Sequence, residues 1–196
     1  MKLSLLPLLL ASSAIAGTVA ECALVYTVLN PSFPEPPCAA ALGAPKPPKN
    51  AFEINVHAII RRAAQKHNVP AAFVKSIVAA ESAFDCEAVS SKGAIGLMQL
   101  MPETAEQFGA DPTIPEQNID AGTKYLRVLL DRYHRYKNPM VRAAAAYNAG
   151  PGVVDRYKGV PPYKETRGYV KRVLAFFKRF QKEGQKEARA DGHPQG

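Results

Sequence analysis

The chain has 196 residues, 47% of them apolar and 21% charged, which excludes wholesale disorder and leaves room for one domain with a real core. Lys and Arg outnumber Asp and Glu by 25 to 17; the net charge of +8 suits an anionic partner such as nucleic acid, a membrane surface or a cell-wall polymer. Three cysteines are too few for a disulfide-built scaffold and lack zinc-ligand spacing.

The first element is an address. Lys2, the apolar run Leu3 to Ala11 and the small residues ending at Ala14-Ile15-Ala16 or Thr18-Val19-Ala20 predict a secretory signal peptide over residues 1–20. An uncleaved membrane anchor is the other reading, but Leu3 to Ala20 only reaches the lower limit for spanning, and Pro7 argues against it. Glu21 before Cys22 does not suit lipid attachment, which wants a small residue there. Export implies an oxidising compartment, where disulfides persist. Cys22, Cys38 and Cys86 allow one bridge and one odd thiol, or three unbridged thiols, and the pairing stays open.

Residues 21–50 hold seven prolines between Pro31 and Pro48 and read as an arm or linker. Residues 51–182 are the foldable part, and their apolar period is helical. Ile54, Ala58 and Ile59 mark a first helix ending near Asn68. Pro70 suits the first turn of a second, with Phe73, Val74, Ile77 and Val78 facing inward. Pro102 opens a short third helix closed by Gly109. Ile119 to Tyr133 stripe a fourth. Pro139 starts a fifth, which Gly150 stops, and Tyr169, Val173, Phe176, Phe177 and Phe180 stripe the last. Residues 183–196 are polar and read as a disordered tail. The expected fold is mostly α, a single helical domain without internal repeats.

One residue sits against this pattern. Val74, Ile77, Val78 and Glu81 occupy positions i, i+3, i+4 and i+7, so Glu81 shares the apolar face at the C-terminal end of its helix. Loss of water and the negative end of the helix dipole both favour the protonated acid, which suits a general acid. The alternative is an end-of-helix glutamate that turns to water.

The text after Glu81 decides between them. Glu81-Ser82, then Gly96-Leu97-Met98-Gln99 with Met101-Pro102, then Ala146-Tyr147-Asn148-Ala149-Gly150 stand in order at sensible spacing. Asn118-Ile119, Ala121-Gly122 and Tyr125-Leu126 follow the same pattern, as do Pro161-Pro162-Tyr163, Glu165-Thr166 and Tyr169-Val170. In these blocks, from about Phe52 to Phe180, the chain resembles the lytic transglycosylases, specifically the SLT-type catalytic domain, whose fold is similar to goose-type lysozyme. The resemblance implies a lysozyme-like helical domain with a substrate cleft, acting on peptidoglycan glycan strands.

Residue by residue, the resemblance implies that Glu81 is the single catalytic acid/base. It places Ser90 at the acylated amino sugar of the substrate, with Ser91 as the neighbouring choice. Gln99, Met101, Tyr147 and Asn148 are expected to bind substrate. Cys86 stands where the family often has proline, which leaves the local loop conformation open. The implied reaction cleaves the β1,4 bond from N-acetylmuramic acid to N-acetylglucosamine without water and leaves a 1,6-anhydro end. A lysozyme-like hydrolase is one alternative, and a non-catalytic wall-binding component of a secretion or conjugation machine is another. Asp85, Glu87, Glu103 and Asp120 read as ordinary solvated charges.

No metal or cofactor is expected, because His57, His67, His134 and His193 are scattered. Lys171, Arg172, Lys178, Arg179 and Lys182 flank the last apolar stripe, as a solvated face or an attraction to an anionic wall or membrane. Nucleic acid is not expected, since no groove-reading motif accompanies the charge. The expected form is a monomer in the periplasm or cell envelope.

Overall fold

The computed structural model describes residues 49–191, with side chains placed over 56–186. The expected signal peptide (1–20) and the Pro-rich segment up to residue 48 lie outside the described residues, as do residues 192–196. Seven described helices follow in order: α1 (Lys49–Lys66), α2 (Ala71–Glu81), α3 (Pro102–Gln107), α4 (Pro115–Tyr133), α5 (Pro139–Ala149), α6 (Pro151–Arg156) and α7 (Lys164–Asp191). Among the described residues, extended pairing is limited to two isolated bridges, Val89 with Ile95 and Ile95 with Leu100. The mostly α architecture expected from the periodicity is the one observed.

Proline and glycine set most of the boundaries. Pro102, Pro115, Pro139 and Pro151 each open a helix at its first turn, where a missing N–H costs nothing. Gly150, at φ +84°, turns the chain between α5 and α6. The short α6 was not foreseen, since Gly150 reads as a plain stop. Proline follows it directly, however, and restarts the helix.

Packing explains why the apolar residues sit where they do. Phe73, Val74, Ile77 and Val78 of α2 are fully buried, and α2 packs against α1 and α7. Each such side chain contributes about 1.5–3 kcal/mol on burial. Ala143, Ala144, Ala145 and Ala146 are buried all round α5, which lies against α4, α6 and α7. Four small residues in a row let three neighbours approach one helix on different faces. This post carries Tyr147 and Asn148 at its end.

The last helix corrects one expectation. α7 continues through residue 191, into the stretch 183–196 read as a tail. Glu183 explains the first turn of that continuation: its carboxylate takes a 2.8 Å hydrogen bond from Arg179, four residues earlier, and lies 3.6 Å from Lys75 on α2. The residues beyond are mainly Gln, Lys, Glu, Ala and Arg, all good helix formers, so a polar composition here continues a helix. No described helix is long and apolar enough to cross a membrane.

Candidate active site

Glu81 is the last residue of α2, one turn beyond the buried Ile77 and Val78. The chain then reverses through Ala83 (φ +51°) and Phe84 (φ +69°), both in the left-handed region that bulky residues avoid. Such strain persists only where surroundings enforce it, and it clusters at functional sites. Here Ser82 is the pin. Its Oγ donates to the Leu97 carbonyl at 2.9 Å, joining the end of α2 to the G-L-M-Q loop.

That loop is built to hold one shape. Ile95 and Leu100 exchange backbone hydrogen bonds at 2.9 and 3.0 Å. Gly96 has φ +75°, and a Cβ there would stand 2.5 Å from Asn118 Nδ2 and 2.8 Å from the Pro112 carbonyl oxygen. Only glycine fits. Asn118 is fully buried and clamps the loop from α4: its Nδ2 donates to the Ile95 and Pro112 carbonyls, and its Oδ1 accepts from Met98 N–H at 2.8 Å. Met98 is buried against Gly122, where a Cβ would lie 2.5 Å from the methionine sulfur. Leu97, Met98 and Leu100 are therefore core.

The structure brings most of the expected site residues to this junction. Tyr147, at the end of α5, donates its hydroxyl to the Met98 carbonyl at 2.9 Å, and its ring lies 5.4 Å from that of Tyr125. Asn148 follows it, half-buried. Met101 caps α3 and is 38% exposed, in contrast to the buried Met98, so it is the methionine available to a ligand. Gln99 has φ +46°, and its Nε2 donates to the Ala88 and Gly96 carbonyls at 2.9 and 3.0 Å. Its amide nitrogen is thus committed to the loop, and its Oε1 is the atom left for a substrate. Ser90 closes the turn before Gly93: its Oγ accepts from Ala94 N–H at 3.0 Å, leaving its O–H able to donate outward.

Sequence reasoning missed the residue that hydrogen-bonds the Glu81 carboxyl. Tyr169 of α7 donates its hydroxyl to Glu81 Oε1 at 2.7 Å. Its position in the apolar stripe made it look like core, and its ring is indeed buried. The signal available was its place in the block ending Tyr169-Val170. Asn118 was likewise noted only as part of a block.

Electrostatics separate Glu81 from the other acids. Burial raises its pKa from 4.5 to about 7; the Tyr169 hydrogen bond and the Arg172 charge pull it down but do not cancel the burial. Tyr169 and Tyr147 are pushed well above the usual 10, first by burial and then by Glu81 itself, so both stay neutral donors. The other candidate acids have other occupations. Asp85 accepts from the Glu87 N–H at 2.9 Å, and Asp120 pairs with Lys66 and His67. Among the described residues, Glu81 is the carboxylic acid whose pKa is raised, and it stands at the meeting point of α2, α7 and a rigid loop.

The chain belongs to the Transglycosylase SLT domain family, whose model matches residues 58–170. It is similar to the soluble lytic murein transglycosylase of Escherichia coli (strain K12), with 34% identity over 149 residues, 64% of this chain and 23% of that protein. It is also similar to the membrane-bound lytic murein transglycosylase C of Actinobacillus pleuropneumoniae serotype 5b, with 35% identity over 129 residues, 55% of this chain and 35% of that protein. Among solved structures, an inactive glutamate-to-glutamine mutant of the lytic transglycosylase Slt from Pseudomonas aeruginosa superposes with a TM-score of 0.58 and 31% identity, covering 65% of this chain and 24% of that one. The 70 kDa soluble lytic transglycosylase from Escherichia coli gives a TM-score of 0.56 at 32% identity, over 63% of this chain and 24% of that one. The chain thus spans about a quarter of the length of the soluble relatives.

Proposed function

We propose that the chain is a peptidoglycan lytic transglycosylase with Glu81 as its acid and then its base. The observation that carries this reading is the placement of Glu81, withdrawn from water at the end of α2 with the Tyr169 hydroxyl 2.7 Å from its Oε1. A largely buried carboxyl of pKa about 7 with a neutral Tyr169 partner can donate near neutrality and take the proton back. Most glycosidases need a second carboxylate as nucleophile or base. Among the groups that act on Glu81 in the described residues there is none. A nucleophile supplied by the substrate itself fits a site with one such acid.

The steps balance. Glu81 protonates the oxygen that links N-acetylmuramic acid to N-acetylglucosamine, and the C1–O bond breaks. The 2-acetamido oxygen of the muramoyl sugar closes on C1 and carries the positive charge. The ionised Glu81 accepts the proton of the same sugar's 6-hydroxyl, whose oxygen attacks C1 and displaces the acetamido oxygen. The products are a 1,6-anhydromuramoyl end and a free 4-hydroxyl on the other sugar. Glu81 ends protonated, and no water enters.

The remaining residues support this pose. Ser90 offers its O–H to the acylated amino sugar, Met101 lines the cleft with an adaptable thioether, and Asn148 and Gln99 Oε1 supply polar contacts. Tyr147 stiffens the wall through Met98. The inactive glutamate-to-glutamine relative among the solved structures supports assigning the chemistry to one acid.

The expected signal peptide supports a periplasmic location, as does Cys86, which is disulfide-bonded. The chain's other cysteines, Cys22 and Cys38, lie outside the described residues. Service to an envelope-spanning secretion or conjugation machine is the finer proposal, and co-isolation with such a complex from envelopes tests it.

Mass spectrometry of the soluble fragments released from purified sacculi tests the reaction. Anhydromuramoyl products from the wild type and none from Glu81→Gln are expected. Fragments heavier by one water would make the protein a hydrolase, and release by Glu81→Gln at the wild-type rate would remove Glu81 from the mechanism.

A further inference from the structure

The proposed chemistry leaves one charged group beside the site without a task. Arg172 lies on α7 three residues after Tyr169, on the neighbouring position of the same face. Its guanidinium carbon is 5.9 Å from the centre of the Tyr169 ring, and its Nη1 lies 3.8 Å from where a Cβ on Gly168 would stand. The side chain therefore folds back toward the N-terminal end of α7, over Gly168 and Tyr169, and does not extend into bulk water.

Arg172 is exposed, yet its charge reaches Glu81. Among the described residues, Lys66, Lys75, Arg127, Arg132 and Arg179 each stand in an ion pair with a carboxylate, and Arg172 does not. An exposed guanidinium held over the tyrosine that grips the catalytic acid is a ready fork for a carboxylate arriving with the substrate.

We propose that Arg172 binds a carboxylate on the 3-O-lactyl arm of the muramoyl sugar and so sets that sugar over Glu81. The proposal rests on the reading of function above. The carboxylate has two sources: the lactyl group itself on a strand stripped of its peptide, or an acidic residue of an attached peptide.

The same contact acts on the proton. Glu81 faces Tyr169 and Arg172 from α7 and Tyr147 from α5, and no charged group of α1 or of the loop 82–101 is among those acting on it. Both tyrosines are neutral, so Arg172 is the charge a substrate can cancel. Unpaired, it favours the ionised carboxylate; once paired with the substrate, it does so less. Substrate binding thus raises the proton affinity of Glu81 at the moment the acid is needed.

The test compares wild type, Arg172→Gln and Arg172→Lys on peptide-free and peptide-bearing glycan strands, each untreated and with its carboxylates converted to methylamides. KM and kcat are read from anhydromuramoyl ends, and strand binding is read in parallel by co-sedimentation in a Glu81→Gln background. On untreated strands Arg172→Gln should raise KM about tenfold, the scale of one charge-assisted contact, and Arg172→Lys should restore part of it. On methylamide strands all three proteins should share the raised KM. An effect on peptide-free strands assigns the lactyl carboxylate, and one confined to peptide-bearing strands assigns the peptide.

For the wild type on untreated strands, the basic limb of kcat should lie at higher pH than that of kcat/KM; in Arg172→Gln the two should converge. An equal loss on untreated and methylamide strands would overturn the proposal. Carboxylate-dependent binding through Arg172 without anhydro products would retain it while overturning the transglycosylase reading. Binding indifferent to carboxylates and to Arg172 would overturn it whatever the products.

Discussion

Glu81 and Asp120 are both carboxylates on helices of one core, and their surroundings drive them in opposite directions. Asp120, on α4, is also penalised by burial, but Lys66 Nζ donates to it at 2.9 Å and His67 Nε2 lies 2.8 Å away, so its pKa falls below 3.8. Glu81 feels a larger burial and receives one neutral hydroxyl, with Arg172 acting only through its field, so its pKa climbs to about 7. The difference lies in what the neighbours withhold. A charged donor in direct contact fixes an acid as an anion; a phenol leaves it able to keep its proton.

The largest way to break this comparison is Glu81→Gln. Removing a positioned proton donor should lower cleavage by about 10²–10⁴-fold, measured as anhydromuramoyl release. Asp120→Asn, the matched change, should leave that rate within about twofold and cost less than about 1 kcal/mol, since a partly exposed pair contributes little.

Next in size is the loop that faces Glu81. Gly96→Ala must place a Cβ 2.5 Å from Asn118 Nδ2 and 2.8 Å from a backbone oxygen, at a φ of +75°. A loss of about 2–4 kcal/mol is expected in chemical denaturation. An unchanged midpoint would show that the loop gives way easily.

The comparison also has a stability side. The folded pKa of Glu81 is raised above its unfolded value, so folding binds the proton more tightly. The resulting cost is absent below about pH 4.5, grows as pH rises toward 7 and is complete above it. The shift from 4.5 to about 7 corresponds to roughly 3 kcal/mol as an upper figure. Glu81→Gln should therefore melt above the wild type at pH 8 and lose most of that advantage by pH 4.5. For Asp120 the sign reverses: its pair contributes above pH 3.8 and is lost as pH falls through the depressed folded value.

The smallest effect expected is a shift and not a loss. Tyr169→Phe removes the hydrogen bond that favours the ionised acid, so the basic limb of kcat/KM should move to higher pH. A downward move would mean that the phenol stabilises the protonated acid instead.

Much of this arrangement was legible in the sequence, and the reasons are local. Helical period and proline-glycine punctuation depend on residues a few positions apart, so α2, α4, α5 and the start of α7 were readable. Glu81 stood out because a carboxylate on an apolar stripe conflicts with its own neighbours. Tyr169 did not, because a tyrosine in an apolar stripe fits core packing and its partner is 88 residues away. Asn118 was silent for the same reason: its three hydrogen bonds all go to backbone brought near only by folding. Gln99 read as a substrate contact, and only the loop geometry shows its amide nitrogen turned to the backbone. The continuation of α7 was misread because polarity was taken for disorder, whereas Glu183 has partners on its own helix and on α2.

The central claim is that Glu81 holds a proton near neutral pH, and the direct measurement is its titration. Carbon-13 NMR of protein labelled at glutamate side-chain carboxyls, with Glu81→Gln to identify the resonance, would follow that one group. The account predicts a signal that disappears in the variant and titrates near pH 7. A Glu81 resonance titrating near 4.5 would contradict it, leaving an ordinary solvated carboxylate with no proton to give.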